Sequence, residues 1–219
     1  MSKRADIENK IIRINNILIN SRKLAFDSYV MLNVDSSAKH ELIFRNKFLM
    51  RTRENLWKLS IIELTKIIGS KKEDYQIVKI LNFLLNNYKN LDWKTKINKS
   101  ELIEMQDRIS NNEIKKKIEK VIEIRNQHYA HKDAKPTNNI FDIEFYYEDF
   151  EFILETAENI MERLTQSMMN ENFVFDTYTG EEANNFFDEI LETNTELGKL
   201  RLDNTWHNNG YHASGHSLK

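Results

Sequence analysis

The chain has 219 residues, 40% of them hydrophobic and 30% charged, with a formal net charge of −2. That much apolar material supports a sizeable core and excludes global disorder, while near-neutrality excludes a general polyanion binder, so any nucleic-acid contact has to come from a local basic patch. With no cysteine there is no disulfide and no thiolate zinc site, and with neither a signal-peptide pattern nor an apolar run near the ~18 residues of a membrane span, a cytoplasmic protein without membrane contact is expected.

One proline and five glycines are too few for a chain of strands and tight turns, whereas helices tolerate few of either. The fold class read from this is all-α. Residues 6–32 carry Ile7, Ile11, Ile14, Leu18, Ala25 and Tyr29 at steps of mostly three and four, the pattern of a long amphipathic helix. Residues 34–38 break it and supply Asp and Ser caps. A second long helix is predicted over 39–68 from Leu42, Leu49, Met50, Trp57, Ile61, Leu64 and Ile68, stopped by Gly69. Ile77, Leu81, Leu84 and Tyr88 predict a helix over 73–88, and residues 90–99 read as a connector. Ser100 to Glu104 offers a capping start to a short helix.

The next long helix is predicted over 112–133, with Ile114, Ile118, Val121 and Ile122 as its apolar stripe, and Pro136 closes it from outside. Residues 141–147 could hold a brief extended piece. A last core helix, 147–168, carries Phe150, Ile153, Leu154, Ala157, Ile160, Met161 and Leu164. After Asn170 the pattern weakens. We therefore expect a bundle over 1–170 and a C-terminal extension over 171–219, with a peripheral helix over 180–197 and a mobile tail.

The 112–133 helix carries the residues with the look of chemistry. Its stripe continues from Ile118 and Ile122 to Arg125 and Tyr129, so Arg125 falls on the face that is apolar two turns earlier. A guanidinium there needs a carboxylate, carbonyls or an anionic ligand. His128 follows by three residues and His131 by three more, and a helix C-terminus favours protonated histidine. Arg125, His128 and His131 form a cationic cluster that could hold a phosphate and move protons near neutral pH. The plainer alternative, which physical arguments alone favour, is a core-edge arginine paired to an acid on another helix, with two surface histidines.

Arg125 followed by the polar Asn126, with His131 after five intervening residues, closes a long helix ahead of a final helix. This resembles the motif of the HEPN superfamily. The segment from Ile124 to Asp133, taken with Arg53 to Ser60, is similar to HEPN proteins of phage abortive-infection type, and the resemblance covers roughly residues 5–168. It implies a four- to five-helix bundle that pairs as a homodimer, needs no cofactor or metal, and cuts RNA in a composite cleft where two motifs meet. By that resemblance Arg125 binds the scissile phosphate, His131 is the general acid/base, Asn126 orients the phosphate or the histidine, and His128 assists. An RNA substrate and a cognate antitoxin protein are the partners it implies, in a toxin or anti-phage role. No tyrosine closely follows His131, so regulation by nucleotidyl transfer to such a residue is not carried over.

In an ideal helix six residues set His131 about 120° from Arg125. Convergence then requires the last turn to unwind near Lys132, or each residue to work with its twin in a second chain. Arg51, Arg53 and Lys132 are secondary candidates for RNA contact. Arg45, Arg51 and Arg53 with Trp57 could guide an RNA backbone, against the ordinary reading of solvated charge. Lys115, Lys116 and Lys117 could add a basic patch, again against a solvated face. His207, His212 and His216 form a loose tract to which metal binding is not assigned. Phe44, Phe48, Leu59, Ile62 and Ile67 lie beyond one stripe and call for a second packing partner, a dimer twin or another helix of the same chain. The alternative function is a catalytically inactive helical dimer that binds RNA, a nucleotide or a protein.

Overall fold

The structure, a computed structural model, describes residues 3–69, 76–126, 145–173, 175 and 181–202. Eight α-helices follow one another with no strand among the described residues: α1 (Lys3–Leu32), α2 (Ser37–Arg45), α3 (Lys47–Ile68), α4 (Ile77–Asn87), α5 (Lys99–Ser110), α6 (Asn112–Ile124), α7 (Tyr147–Met169) and α8 (Glu181–Leu202). The extended piece expected over 141–147 falls largely outside the described residues. Tyr146 has extended backbone (φ −108°, ψ 169°) and serves as the N-cap of α7.

Three long helices form the centre. On α1, Ile7, Ile11, Ile14, Leu18 and Ala25 are all buried, and they meet Ile61, Leu64 and Ile67 of α3 and Phe150 to Met168 of α7. Burying each of the larger side chains among them stabilises the fold by about 1.5–3 kcal/mol. Direction follows from paired contacts. Ser21 Oγ donates to the Ser60 carbonyl at 3.0 Å and Ser28 Oγ to the Arg53 carbonyl at 3.1 Å, so α1 and α3 are antiparallel. Ser21, Ala25 and Ser28 share one face at helical spacing, and these small side chains let the two backbones approach. Asn15 Nδ2 donates to Thr165 Oγ1 at 2.9 Å, while Tyr29 stacks on Tyr147 with ring centroids 4.2 Å apart, so α7 is also antiparallel to α1. The C-terminal end of α1 therefore lies beside the first turns of α3 and of α7.

The helices α4, α5 and α6 close the bundle with Ile80, Leu84, Leu102, Ile109, Ile114 and Val121. Lys117 of α6 bonds Asp149 and lies over Phe152 of α7 at 5.5 Å, and Lys120 also bears on Asp149. This is the register of an antiparallel pair, so α6 runs towards the end at which α7 begins.

The predicted 39–68 helix is two helices. Asn46 leaves the α region (φ −91°, ψ 104°), and its Oδ1 accepts the Phe48 and Leu49 N–H groups at 2.9 and 3.3 Å. An asparagine side chain that offers the backbone an alternative acceptor favours a cap over a helix interior. Periodicity missed the break because Leu42 and Leu49 are seven residues apart and stay on one face across it. Gly69 ends α3 as predicted: its N–H reaches the Thr65 carbonyl at 2.8 Å, and a Cβ there would lie 2.1 Å from that oxygen.

A second, smaller core sits under the α2–α3 elbow, where Met31, Ile43, Leu49 and Phe187 bury one another. Phe187 brings α8 against α2. Buried Lys39 fixes the contact by pairing Asp188 at 2.8 Å and Asp35 at 3.0 Å. The second partner demanded by the extra apolar residues of 39–68 is thus supplied within the chain for Ile67, which is fully buried, while Phe44, Leu59 and Phe48 are 39%, 45% and 68% exposed.

Candidate active site at the end of α6

Asn111 Oδ1 caps the start of α6 by accepting the Ile114 N–H at 2.9 Å, and Ile114, Val121 and Ile124 bury its stripe. The stripe delivers Arg125 to the edge of the core. Arg125 keeps helical dihedrals (φ −57°, ψ −47°), and Arg125 and Asn126 form a wider, π-type turn. Such turns are frequent at functional positions, and here one departs from the ideal helix from which the 120° offset to His131 follows.

Arg125 is half-buried and Asn126 exposed. The Arg125 Nη1 donates to Asn126 Oδ1 at 3.2 Å, and no carboxylate among the described residues pairs with the guanidinium. The core-edge ion pair of the plainer reading is therefore not formed by those residues. Among the described residues, the amide oxygen of Asn126 engages one guanidinium nitrogen, and the other guanidinium N–H groups meet no carboxylate there, so they could serve as donors to an anion. A planar guanidinium in this state suits bidentate phosphate recognition. His128, His131 and Lys132 lie outside the described residues, as do His207, His212 and His216.

The secondary candidates divide. Arg51 is exposed, with Nε donating to the Lys47 carbonyl at 3.2 Å, and the guanidinium carbon of Arg53 lies 5.8 Å from the centroid of Phe44. Trp57 is built into an aromatic cluster with Phe145, Tyr147 and Phe150, 5.3 Å from the last. Lys115 and Lys116 are exposed, whereas Lys117 is bound to Asp149. Burial pushes the Asp149 carboxyl up, but the Lys117 hydrogen bond and the Tyr146 N–H bring it below its ordinary range.

A polar cluster that sequence reasoning missed lies between α1 and α7. Arg22 Nε donates to Glu158 Oε1 at 2.7 Å and its Nη2 to Oε2, a two-point grip on a carboxylate only 6% exposed. Burial pushes Glu158 up, Arg22 partly offsets this, and Glu155 and Glu151 add to the rise; the hydrogen bond from Arg22 raises the arginine in turn. Burial also pushes Tyr147 up to about 12. A sequence signal for the arginine existed: Leu18, Arg22, Ala25 and Tyr29 set an arginine on an apolar stripe just as Ile118, Ile122, Arg125 and Tyr129 do.

An all-α bundle whose sixth helix carries an arginine and asparagine from a buried stripe to its rim has the architecture of a HEPN-like domain. The family model described as AbiU2, a HEPN family, matches residues 5–186, and the chain belongs to that family. It is a HEPN-superfamily domain of abortive-infection type. No curated protein and no solved structure gives a significant match. No helix among the described residues is long and apolar enough to cross a membrane.

Proposed function

We propose that the chain is a metal-independent endoribonuclease of HEPN type, acting as a homodimer in which two α6 ends share one cleft, in a toxin or anti-phage role. The observation that carries this reading is Arg125, half-buried at a helix end and hydrogen-bonded to Asn126 rather than to a carboxylate of the described residues. In the proposed reaction Arg125 holds the scissile phosphate and stabilises the charge that builds on its oxygens. His131, helped by His128, takes the proton of the ribose 2′-hydroxyl as its oxygen attacks phosphorus. The bond to the 5′-oxygen breaks, the leaving oxygen takes up a proton, and a 2′,3′-cyclic phosphate and a 5′-hydroxyl result. Asn126 orients Arg125, and Lys132 is a further phosphate contact.

The test is incubation of purified protein with mixed RNA in a metal chelator. Cleavage in the wild type that falls by about 100- to 10,000-fold in His131→Ala, the usual worth of a general acid/base, is the expected result. Full activity in Arg125→Ala overturns it. The net charge of −2 and the six-residue spacing favour a second reading, a catalytically inactive dimer that binds RNA, a nucleotide or a protein partner. On that reading His131→Ala changes binding alone, and no cyclic-phosphate ends form. Any cognate antitoxin would be found by co-purification with the partner gene product expressed alongside.

A further inference from the structure

We infer that the α2–α3 elbow is a docking platform for single-stranded RNA, an inference that rests on the ribonuclease reading and deepens it. The register of the elbow forces its composition outward. Ile43 and Leu49 turn inward and are buried with Met31 and Phe187, so their neighbours Phe44 and Phe48 face solvent, 39% and 68% exposed. Asn46 locks the turn between them through its two hydrogen bonds to the start of α3. Phe44 is already half of a stack: the exposed His40 ring lies parallel to it at 4.1 Å and 22°, and Arg53 sits at 5.8 Å from its centroid. Exposed aromatic faces beside arginines are how sequence-tolerant binders hold unpaired bases.

Charge selects the occupant. Between residues 40 and 54 stand Arg45, Lys47, Arg51 and Arg53 against Glu41 and Glu54, a local excess of cations in a chain whose net charge is −2. Lys47 and Arg51 are exposed, one turn apart on α3, and neither forms an ion pair with the described residues. Arg45 pairs Glu41 at 2.6 Å, but its side chain is 82% exposed, and such pairs exchange readily for a phosphate. A second copy of the chain is a poor occupant, because a two-fold interface here would set these cations against themselves. Duplex RNA is a poor one too, since its base faces are stacked within the helix. Beside the elbow a groove of about 580 Å³ leads to Leu191 of α8. That helix carries Asp188, Glu189 and Glu192, so the strand runs along the elbow rather than across to α8. The first turns of α3 and the end of α6 lie at the same end of the bundle, so a strand held on the elbow is delivered towards Arg125.

The experiment is fluorescence anisotropy of the full chain with a labelled oligouridylate whose riboses are 2′-O-methylated, so that binding is read without cleavage. Expected are a loss of about tenfold or more for Phe44→Leu/Phe48→Leu, and a shallower salt dependence for Lys47→Glu/Arg51→Glu, by about 1.4 in the logarithmic slope if two phosphate contacts are lost. Far-UV circular dichroism confirms the fold of each variant, and light scattering its oligomeric state. The platform is overturned if the wild type does not bind the oligomer, if both elbow variants bind as the wild type does, or if they change oligomeric state with RNA affinity intact. The two readings fail separately: binding at the elbow without any cleavage of ordinary RNA sinks the nuclease, and undiminished cleavage by the elbow variants sinks the platform.

Discussion

Two arginines occupy equivalent places in their helices and have opposite surroundings. Arg22 follows Leu18 by four residues on α1, and Arg125 follows Ile122 by three on α6; each stands on an otherwise apolar stripe. Arg22 meets Glu158 across the α1–α7 contact and is gripped at two points. Arg125 reaches the rim of the bundle, where its hydrogen bond goes to the amide of the next residue. A buried charge without a partner is costly, so the first arrangement is what folding demands. The second leaves the guanidinium without a carboxylate among the described residues, which is what the proposed phosphate site would require.

The largest effect that tests the contrast is on stability. Arg22→Ala strands Glu158 in the core and should destabilise the fold by about 3–5 kcal/mol in chemical denaturation, whereas replacing both partners by apolar residues, Arg22→Met with Glu158→Leu, should recover most of that loss. Equal damage from the single and double variants would show that the pair is not acting as a unit. A smaller effect is expected at the elbow, where Asn46→Ala removes the cap of α3 and should cost about 1 kcal/mol in the same measurement. If Asn46→Ala is neutral, α2 and α3 do not need the cap to stay distinct. Arg125→Ala should shift the denaturation midpoint least, within about 0.5 kcal/mol, while abolishing the cleavage that the proposed function expects. A large loss of stability there would make Arg125 a second Arg22.

The subtlest test uses pH. A hydrogen bond from Arg163 Nε at 2.5 Å, with a further one from the Asn98 N–H, holds the Glu101 carboxyl below its ordinary range. Because the folded value is depressed, the contribution of Glu101 is present above the ordinary carboxylate range and is lost as pH falls through the lower folded value. Glu101→Gln should therefore flatten the fall in stability across that acidic window and leave the neutral-to-alkaline profile unchanged. A profile identical to that of the wild type on the acid side would mean that the Arg163 contact carries no linkage.

Much of this architecture is legible in the sequence because helical periodicity reports burial directly. Ile7, Ile11, Ile14 and Leu18 are buried as their spacing requires, and so are the core residues named for α7. The scarcity of proline and glycine, the stop at Gly69 and the exit of Arg125 from an apolar stripe follow from local chemistry alone. The rest depends on what each face meets. Spacing cannot reveal that Arg22 has Glu158 as partner 136 residues away, that Arg125 finds no such carboxylate among the described residues, or that Phe187 and Asp188 dock α8 onto α2. Nor could it show the break at Asn46, where the cap satisfies the backbone without disturbing the stripe. A single sequence determines which side of each helix avoids water. Only the packed chain decides which charges meet a partner inside and which, among the described residues, do not, because that depends on contacts between residues far apart in sequence.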